Sequence, residues 1–300
     1  MNDFDQPPQE TPEAQPAPDA GLELAPVPPP PPSDPYAAFA PDLRVPWNAA
    51  DLGVFLLIYL GINIVIGVIG LVGGAALFHK PFQTIQKDPV AFPLIAIVIQ
   101  VLISAATILY FWILVRIRSN RPTAQQHEGF WRTMGWRPLG KTGRTPLSRV
   151  MYCLLGGVAM SLAVAEASNL LGKQPPTPIE DLFQTKSAII LLMFFGVLIA
   201  PLVEEMMFRG FLYPVVARRF GMFTGIITTG LLFGAFHTPQ LWPAFGQIAL
   251  LVGVGITLTT VRARARSVLA STLFHMAYNS TLFVGLLVQT KWLTDLSRIH

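Results

Sequence analysis

Charge is what this sequence has least of: Asp, Glu, Lys and Arg make up 13% of its 300 residues, against about 25% in an ordinary soluble domain. The shortage excludes a chain whose folded surface meets water all round. With 52% apolar residues, it points to lipid as the main solvent. Cysteine is nearly absent. The single Cys153 sits inside an apolar run, so neither an intrachain disulfide framework nor a cysteine-based zinc site is available. Nucleic-acid motifs are missing, and no nucleic-acid partner is expected. Lys and Arg are missing altogether from residues 1–42, which hold eight acids (Asp3, Asp5, Glu10, Glu13, Asp19, Glu23, Asp34, Asp42) and thirteen prolines. Such a stretch buries too little apolar area to offset its ordering entropy, so a disordered, partly polyproline tail is expected over 1–45. The first apolar run starts near residue 52 behind this acidic leader, and no cleavable signal peptide is expected.

What the chain does have is long apolar runs. About twenty residues at ~1.5 Å rise cross a ~30 Å hydrocarbon core. On that measure spans are expected at about 52–78, 91–115, 150–171, 187–208, 222–237, 241–261 and 267–289, the fifth short and the fourth running on as helix towards Arg219. The fold expected is an all-α, polytopic transmembrane helical bundle of about seven to eight spans. Residues 46–180 form its N-terminal helices with a basic loop, and 181–290 the part that carries chemistry. Residues 291–300 form a tail read as a short interfacial helix. Basic residues sort by side. Between spans two and three lie Arg116, Arg118, Arg121, Arg132, Arg137, Lys141, Arg144 and Arg149 against one acid, Glu128. Arg209, Arg218 and Arg219 follow span four, and Arg262, Arg264 and Arg266 follow span six, while the alternate loops hold only Lys80, Lys87, Lys173 and Lys186. By the positive-inside rule the N-terminus and the basic loops face the cytoplasm, with the cell (plasma) membrane the expected location. The second-to-third loop also carries Phe130, Trp131 and Trp136, a mixture suited to the anionic inner leaflet, so membrane lipids are expected partners. Gly70 and Gly74 form a small-xxx-small pair, and Asn63, Gln100 and Glu166 read as buried polar glue between helices.

Charges inside a membrane cost roughly 2.5–3.5 kcal/mol each on insertion scales, so they mark function. Span four ends Ala200-Pro201-Leu202-Val203-Glu204-Glu205-Met206-Met207-Phe208-Arg209. Glu205 and Arg209 are four apart and share a helix face, so they can pair. Glu204 points about 100° away, without that partner. This leaves Glu204 desolvated, a setting suited to a general base, and Pro201 is placed to kink the helix and admit water. Span five ends Phe233-Gly234-Ala235-Phe236-His237, and span seven contains His275 and Asn279, four apart on one side. Glu204 lies sixteen residues before Phe220 and His237 sixteen after Gly221. In an antiparallel helix pair the two therefore come to nearly the same height. His275 sits somewhat shallower unless span four extends past the lipid. The chemistry expected is hydrolytic. Glu204 and His237 hold a water, Glu204 takes its proton, and the water attacks a peptide carbonyl. His275 and Asn279 donate to the oxyanion, while Glu205 and Arg209 orient the reacting groups.

Other hydrolytic chemistries fit worse. His127-Glu128 is followed by Gly129-Phe130-Trp131, which breaks the His-Glu-x-x-His zinc pattern. No Gly-x-Ser-x-Gly appears, and no aspartate lies in an apolar span. A proton-relay transporter would show duplicated halves, and no internal repeat is present.

The three motifs together resemble the CPBP family, which includes type II CAAX prenyl proteases and Abi-type bacterial membrane proteins. Its Glu-Glu-x-x-x-Arg, Phe-x-x-x-His and His-x-x-x-Asn patterns stand here as Glu204-Glu205…Arg209, Phe233…His237 and His275…Asn279. Each is weak alone, and the three in order on apolar spans are specific. The resemblance covers residues 204–279 and implies a helical membrane endopeptidase with its cavity facing the cytoplasm. Its substrate is implied to be a membrane-bound protein or peptide, prenylated in some members. It implies Glu204 and His237 as the water-activating pair, and His275 and Asn279 as oxyanion donors. Members are often labelled metalloproteases, and a metal-free glutamate mechanism is also advanced for the fold. Both a zinc ion on Glu204, His237 and His275 and no metal at all therefore stay open. The family also contains bacteriocin-immunity proteins and catalytically idle scaffolds, the alternative function.

Overall fold

The computed structural model describes residues 39–119, 129–140 and 145–298. Residues 1–38 of the expected tail, and Arg121, His127, Glu128, Lys141 and Arg144 of the basic loop, lie outside the described residues. Among the described residues there is no strand.

The first long helix, α1 (Ala49–Phe78), starts at Asn48, whose side chain accepts the Ala50 and Asp51 amides while Asp51 accepts the Asn48 amide in return. This reciprocal pair satisfies N–H groups that a helix start otherwise leaves bare. Only Asp51 and Gly74 of α1 are buried, and Leu57 and Ile64 are about two-thirds exposed. A helix apolar all round and uncovered by protein is a lipid-facing helix. The next, α2 (Ala91–Ser119), starts at Asp88, whose Oδ1 accepts the Val90 and Ala91 amides. The two helices approach where Gly70 and Gly74 leave room for Ile99 and Ile95. Then follow α3 (Leu147–Leu170), α4 (Lys186–Phe220), α5 (Met222–Phe236), α6 (Phe245–Ala265) and α7 (Val268–Gln289).

Five of these (α1 to α4 and α6) are long and apolar enough to cross a membrane. With 15 residues, α5 spans only ~22 Å, short of a straight ~30 Å crossing. The 22-residue α7 is long enough, but it carries polar groups along its middle. The sixth helix begins at Phe245 rather than near 241, because a separate turn, Thr238–Leu241, precedes it and Pro243 interrupts the path. The fourth runs unbroken for 35 residues, ~52 Å, so it outreaches the hydrocarbon core. Two π-helical turns, Phe195–Ile199 and Met206–Leu212, bracket Ala200–Glu205 within it. Pro201 lacks the N–H owed to the carbonyl four residues back, and the helix absorbs this as the π turn just before it. Gly221, at φ +88, ends α4 in a region open to glycine and sends α5 back antiparallel. At the other side α7 packs on α3 so closely that a Cβ on Gly157 would lie 2.2 Å from the Phe274 carbonyl.

Several expectations are corrected here. Residues 39–45, expected as the end of the loose tail, belong to the packed fold. Asp42 pairs with fully buried Arg262 at 2.9 Å, Arg218 donates to the Val45 and Trp47 carbonyls, and buried Trp47 donates to the Phe211 carbonyl at 3.1 Å. An acidic residue is retained because the bundle offers it a buried cation. Arg209 and Arg262, counted among the loop charges, are both fully buried. Glu166 and Gln100 are not buried glue but exposed, Glu166 beside Asn169 at 3.5 Å. The C-terminal stretch is not a helix. Lys291, Trp292 and Leu293 take positive φ and a short 3-10 turn, Leu296–Arg298, follows. The Trp-containing loop docks on the start of α7, where Ser267 accepts the Arg137 amide and Val268 donates to the Gly135 carbonyl at 2.8 Å.

Candidate active site

Three helices converge on one polar cluster. Glu204, Glu205 and Arg209 come from α4, His237 from the C-terminal end of α5, and His275 from the middle of α7. Glu204 Oε1 lies 3.9 Å from His237 Nε2, and its Oε2 lies 3.8 Å from His275 Nε2. The antiparallel return at Gly221 thus brings the two sequence-matched heights together. His275 reaches the same level because α4 runs past the core.

Beneath Glu204 is a buried ionic base. Arg209 Nη1 donates to Glu205 Oε1 at 3.0 Å, and both side chains are fully buried. His275 Nδ1 faces the same Glu205 oxygen at 3.1 Å. Arg209 also donates to Thr259 Oγ1 at 3.2 Å and to the Gly255 carbonyl at 2.9 Å, and its guanidinium lies 4.6 Å from the Phe233 ring centre. A planar fork with five donors can serve these partners at once, which lysine cannot. Glu205 Oε2 alone keeps no hydrogen-bond partner. The two partly accessible members are Glu204 and His237, with 18% and 12% of their side chains accessible.

Histidine tautomers follow from their neighbours. His237 Nδ1 lies 2.8 Å from the Phe233 carbonyl. A carbonyl only accepts, so Nδ1 carries the proton and Nε2 presents a lone pair towards Glu204. That explains the Phe-x-x-x-His spacing: residue 233 supplies a carbonyl one turn below the imidazole and a ring 4.6 Å from it. His275 Nδ1 likewise donates to the Glu205 carboxylate, leaving Nε2 directed at Glu204 Oε2.

The structure does not bring Asn279 into this cluster. Its amide donates to the Gly196 carbonyl at 2.7 Å, within the π turn Phe195–Ile199, whose displaced hydrogen bonding leaves carbonyls to satisfy. Of the zinc candidates, the two imidazoles each face one oxygen of Glu204, and among the described residues no group of three or more His, Cys, Asp or Glu is placed to hold an ion.

Glu204 also borders a second space on its α1–α2 side. A cavity there has a water-holding volume of about 20 Å³ and is lined by Tyr59, Gln100, Ser104, Thr107, Glu204 and Phe236, among others. Sequence reasoning passed over Tyr59, Ser104 and Thr107, as it did Thr259 and Gly255. Gln100 alone drew notice, as glue. The usable signal was a polar run on α2, Gln100-x-x-x-Ser104-x-x-Thr107 at helical spacing.

Fold and site together define a polytopic helical membrane protein with a glutamate–histidine cluster enclosed by three helices. Residues 186–281 match the family model described as type II CAAX prenyl endopeptidase Rce1-like. Over that segment the chain is similar to this family, in keeping with the CPBP group that its motifs resemble, while helices α1 to α3 lie outside the match. Comparison with curated proteins finds no match, and comparison with solved structures finds none.

Proposed function

We propose that this protein is an intramembrane endopeptidase that cleaves a membrane-associated protein or peptide, a prenylated one by the family description, with a water activated by Glu204 and His237. The observation that carries the reading is the 3.9 Å gap between Glu204 Oε1 and His237 Nε2. That gap is shorter than two ~2.8 Å hydrogen bonds end to end, so one water reaches both groups. Both are acceptors, so each accepts a hydrogen bond from that water, which leaves an oxygen lone pair free to attack. Glu204 removes one proton as the oxygen adds to the carbonyl carbon, and returns it to the leaving amine as the carbon–nitrogen bond breaks.

His275 supports the negative oxygen. Held through Nδ1 by the Glu205 carboxylate at 3.1 Å, His275 turns Nε2 to the reacting space, where a proton on that nitrogen is donated to the oxyanion. Asn279 acts as a positioning residue, holding the π turn that precedes Glu204. This chemistry uses side chains alone, and no step passes through a metal. The cavity opens to the cytoplasm, with the N-terminus on that side of the cell membrane.

Glu204→Gln and His237→Ala, assayed in liposomes on a prenylated reporter peptide, test the proposal. General-base loss lowers kcat by about 10²–10⁴-fold, and both variants should insert like wild type. Retained processing in both would leave the idle-scaffold alternative. A chelator should leave purified wild type active, and loss of activity restored by zinc would overturn the metal-free mechanism.

A further inference from the structure

The α1–α2 side of Glu204 has no task in the mechanism above, yet it is the polar part of an otherwise apolar wall. Helices exposed to lipid do not keep hydrogen-bonding groups without partners at low cost. Ser104 and Thr107 meet this by donating to the Gln100 and Ile103 carbonyls on their own helix, at 2.7 and 2.8 Å. Neither hydroxyl proton is left for a ligand, although both oxygens can still accept. The Tyr59 hydroxyl, which bonds the Asn63 side chain, and the Gln100 side-chain amide are different, since neither donates to a helical carbonyl. Both border the same cavity as Glu204. Tyr59 packs at a tilt against Phe236, the residue before His237, with ring centres 5.7 Å apart. The wall is therefore tied to the catalytic helix.

Glu204 must face two things in turn: the water it deprotonates and the amine it reprotonates. Its His237 and His275 side serves the first. Resting on that reading, we infer that the cavity bordered by Tyr59 and Gln100 is the subsite for the peptide on the leaving-amine side of the scissile bond. The Gln100 amide and Tyr59 hydroxyl donate to the carbonyls of that segment, and the Ser104 and Thr107 oxygens accept from its N–H groups. The cavity is small, so the first residue after the scissile bond lies with its backbone, not a bulky side chain, against α2. The leaving nitrogen is then held beside Glu204 and takes the proton as the bond breaks. Substrate selection on that side comes from helices that the family match does not include.

The test compares two probes in liposomes, both farnesylated on cysteine and cleaved at the bond that follows it. One carries three residues after that bond. The other carries only an aryl amine, which lacks the backbone groups the subsite would bind. On the peptide probe, Gln100→Met and Tyr59→Phe should each lower kcat/KM roughly threefold to tenfold, the range for one neutral hydrogen bond. On the aryl probe the losses should shrink to under twofold. Equal losses on both probes, or none on the peptide probe, overturn the inference. Glu204→Gln must abolish turnover of both probes. If it does while the Gln100 and Tyr59 variants fail the comparison, the subsite alone is lost. If Glu204→Gln still turns over, the hydrolytic reading itself falls. Replacing the first residue after the scissile bond by tryptophan should lower wild-type kcat/KM, and an unchanged value also counts against the subsite.

Discussion

Arg209→Met tests whether the buried ionic base beneath Glu204 is a coupled unit. Methionine keeps length and apolar contact with Phe233 but removes every donor. Glu205 then keeps a fully buried carboxylate that has lost its counter-charge, with His275 still facing its Oε1. Breaking a buried pair on one side costs about 3–5 kcal/mol, mostly because the surviving charge is left uncompensated. At about 2–4 °C per kcal/mol for a chain of this size, the midpoint of thermal unfolding in detergent should fall by about 6–20 °C. A second replacement discriminates the cause. Glu205→Gln in the Arg209→Met background removes the stranded charge, and should restore at least about 1 kcal/mol of the loss. Activity should stay low in the double variant, because His275 has lost the carboxylate that orients it. The assay is differential scanning fluorimetry of matched preparations, with reporter cleavage alongside. Should the double variant unfold no higher than Arg209→Met, the cost lies in packing around Phe233, Thr259 and Gly255, and the stranded-charge reasoning is refuted.

Other positions give sharper single readouts. Gly157→Ala pushes a methyl into the Phe274 carbonyl across the α3–α7 contact, and overpacking of this kind should cost about 1–3 kcal/mol, read as a lowered midpoint. Asp42→Asn leaves fully buried Arg262 without its counter-charge, and should lower stability by about 3–5 kcal/mol and speed proteolysis at the 39–48 segment, whereas wild type resists cleavage there. Asp88, outside the spans, has its carboxyl lowered to about 2, first by the Ala91 backbone amide and then by the Lys80 side chain and the Val90 amide. A folded value below the ordinary one means its contribution is fully present above about pH 4 and is lost as pH falls towards 2. NMR titration of the Asp88 carboxyl should find its midpoint near 2, and a midpoint near 3.8 would show that the cap does not form.

Much of this molecule was legible along the chain. Lipid exposure writes itself into composition, because every residue of α1 from Val54 to Leu77 must suit hydrocarbon, and a run of that length has few other meanings. Local spacing also sufficed for Glu205 with Arg209, since a helix brings residues four apart together whatever surrounds them. The height match of Glu204 and His237 needed only a rise per residue and a turn at Gly221. What spacing could not carry were relations between helices distant in sequence. Asp42 looked like one more acid of a loose tail until Arg262, 220 residues away, gave it a buried partner. Asn279 shares a face with His275, yet the π turn at Gly196 draws its amide aside. The second face of Glu204, with Tyr59 and Gln100, exists only because α1 and α2 pack against α4. A helix specifies the direction of each side chain about its own axis, but how that axis sits against others depends on packing summed over many small contacts, and no single motif records it.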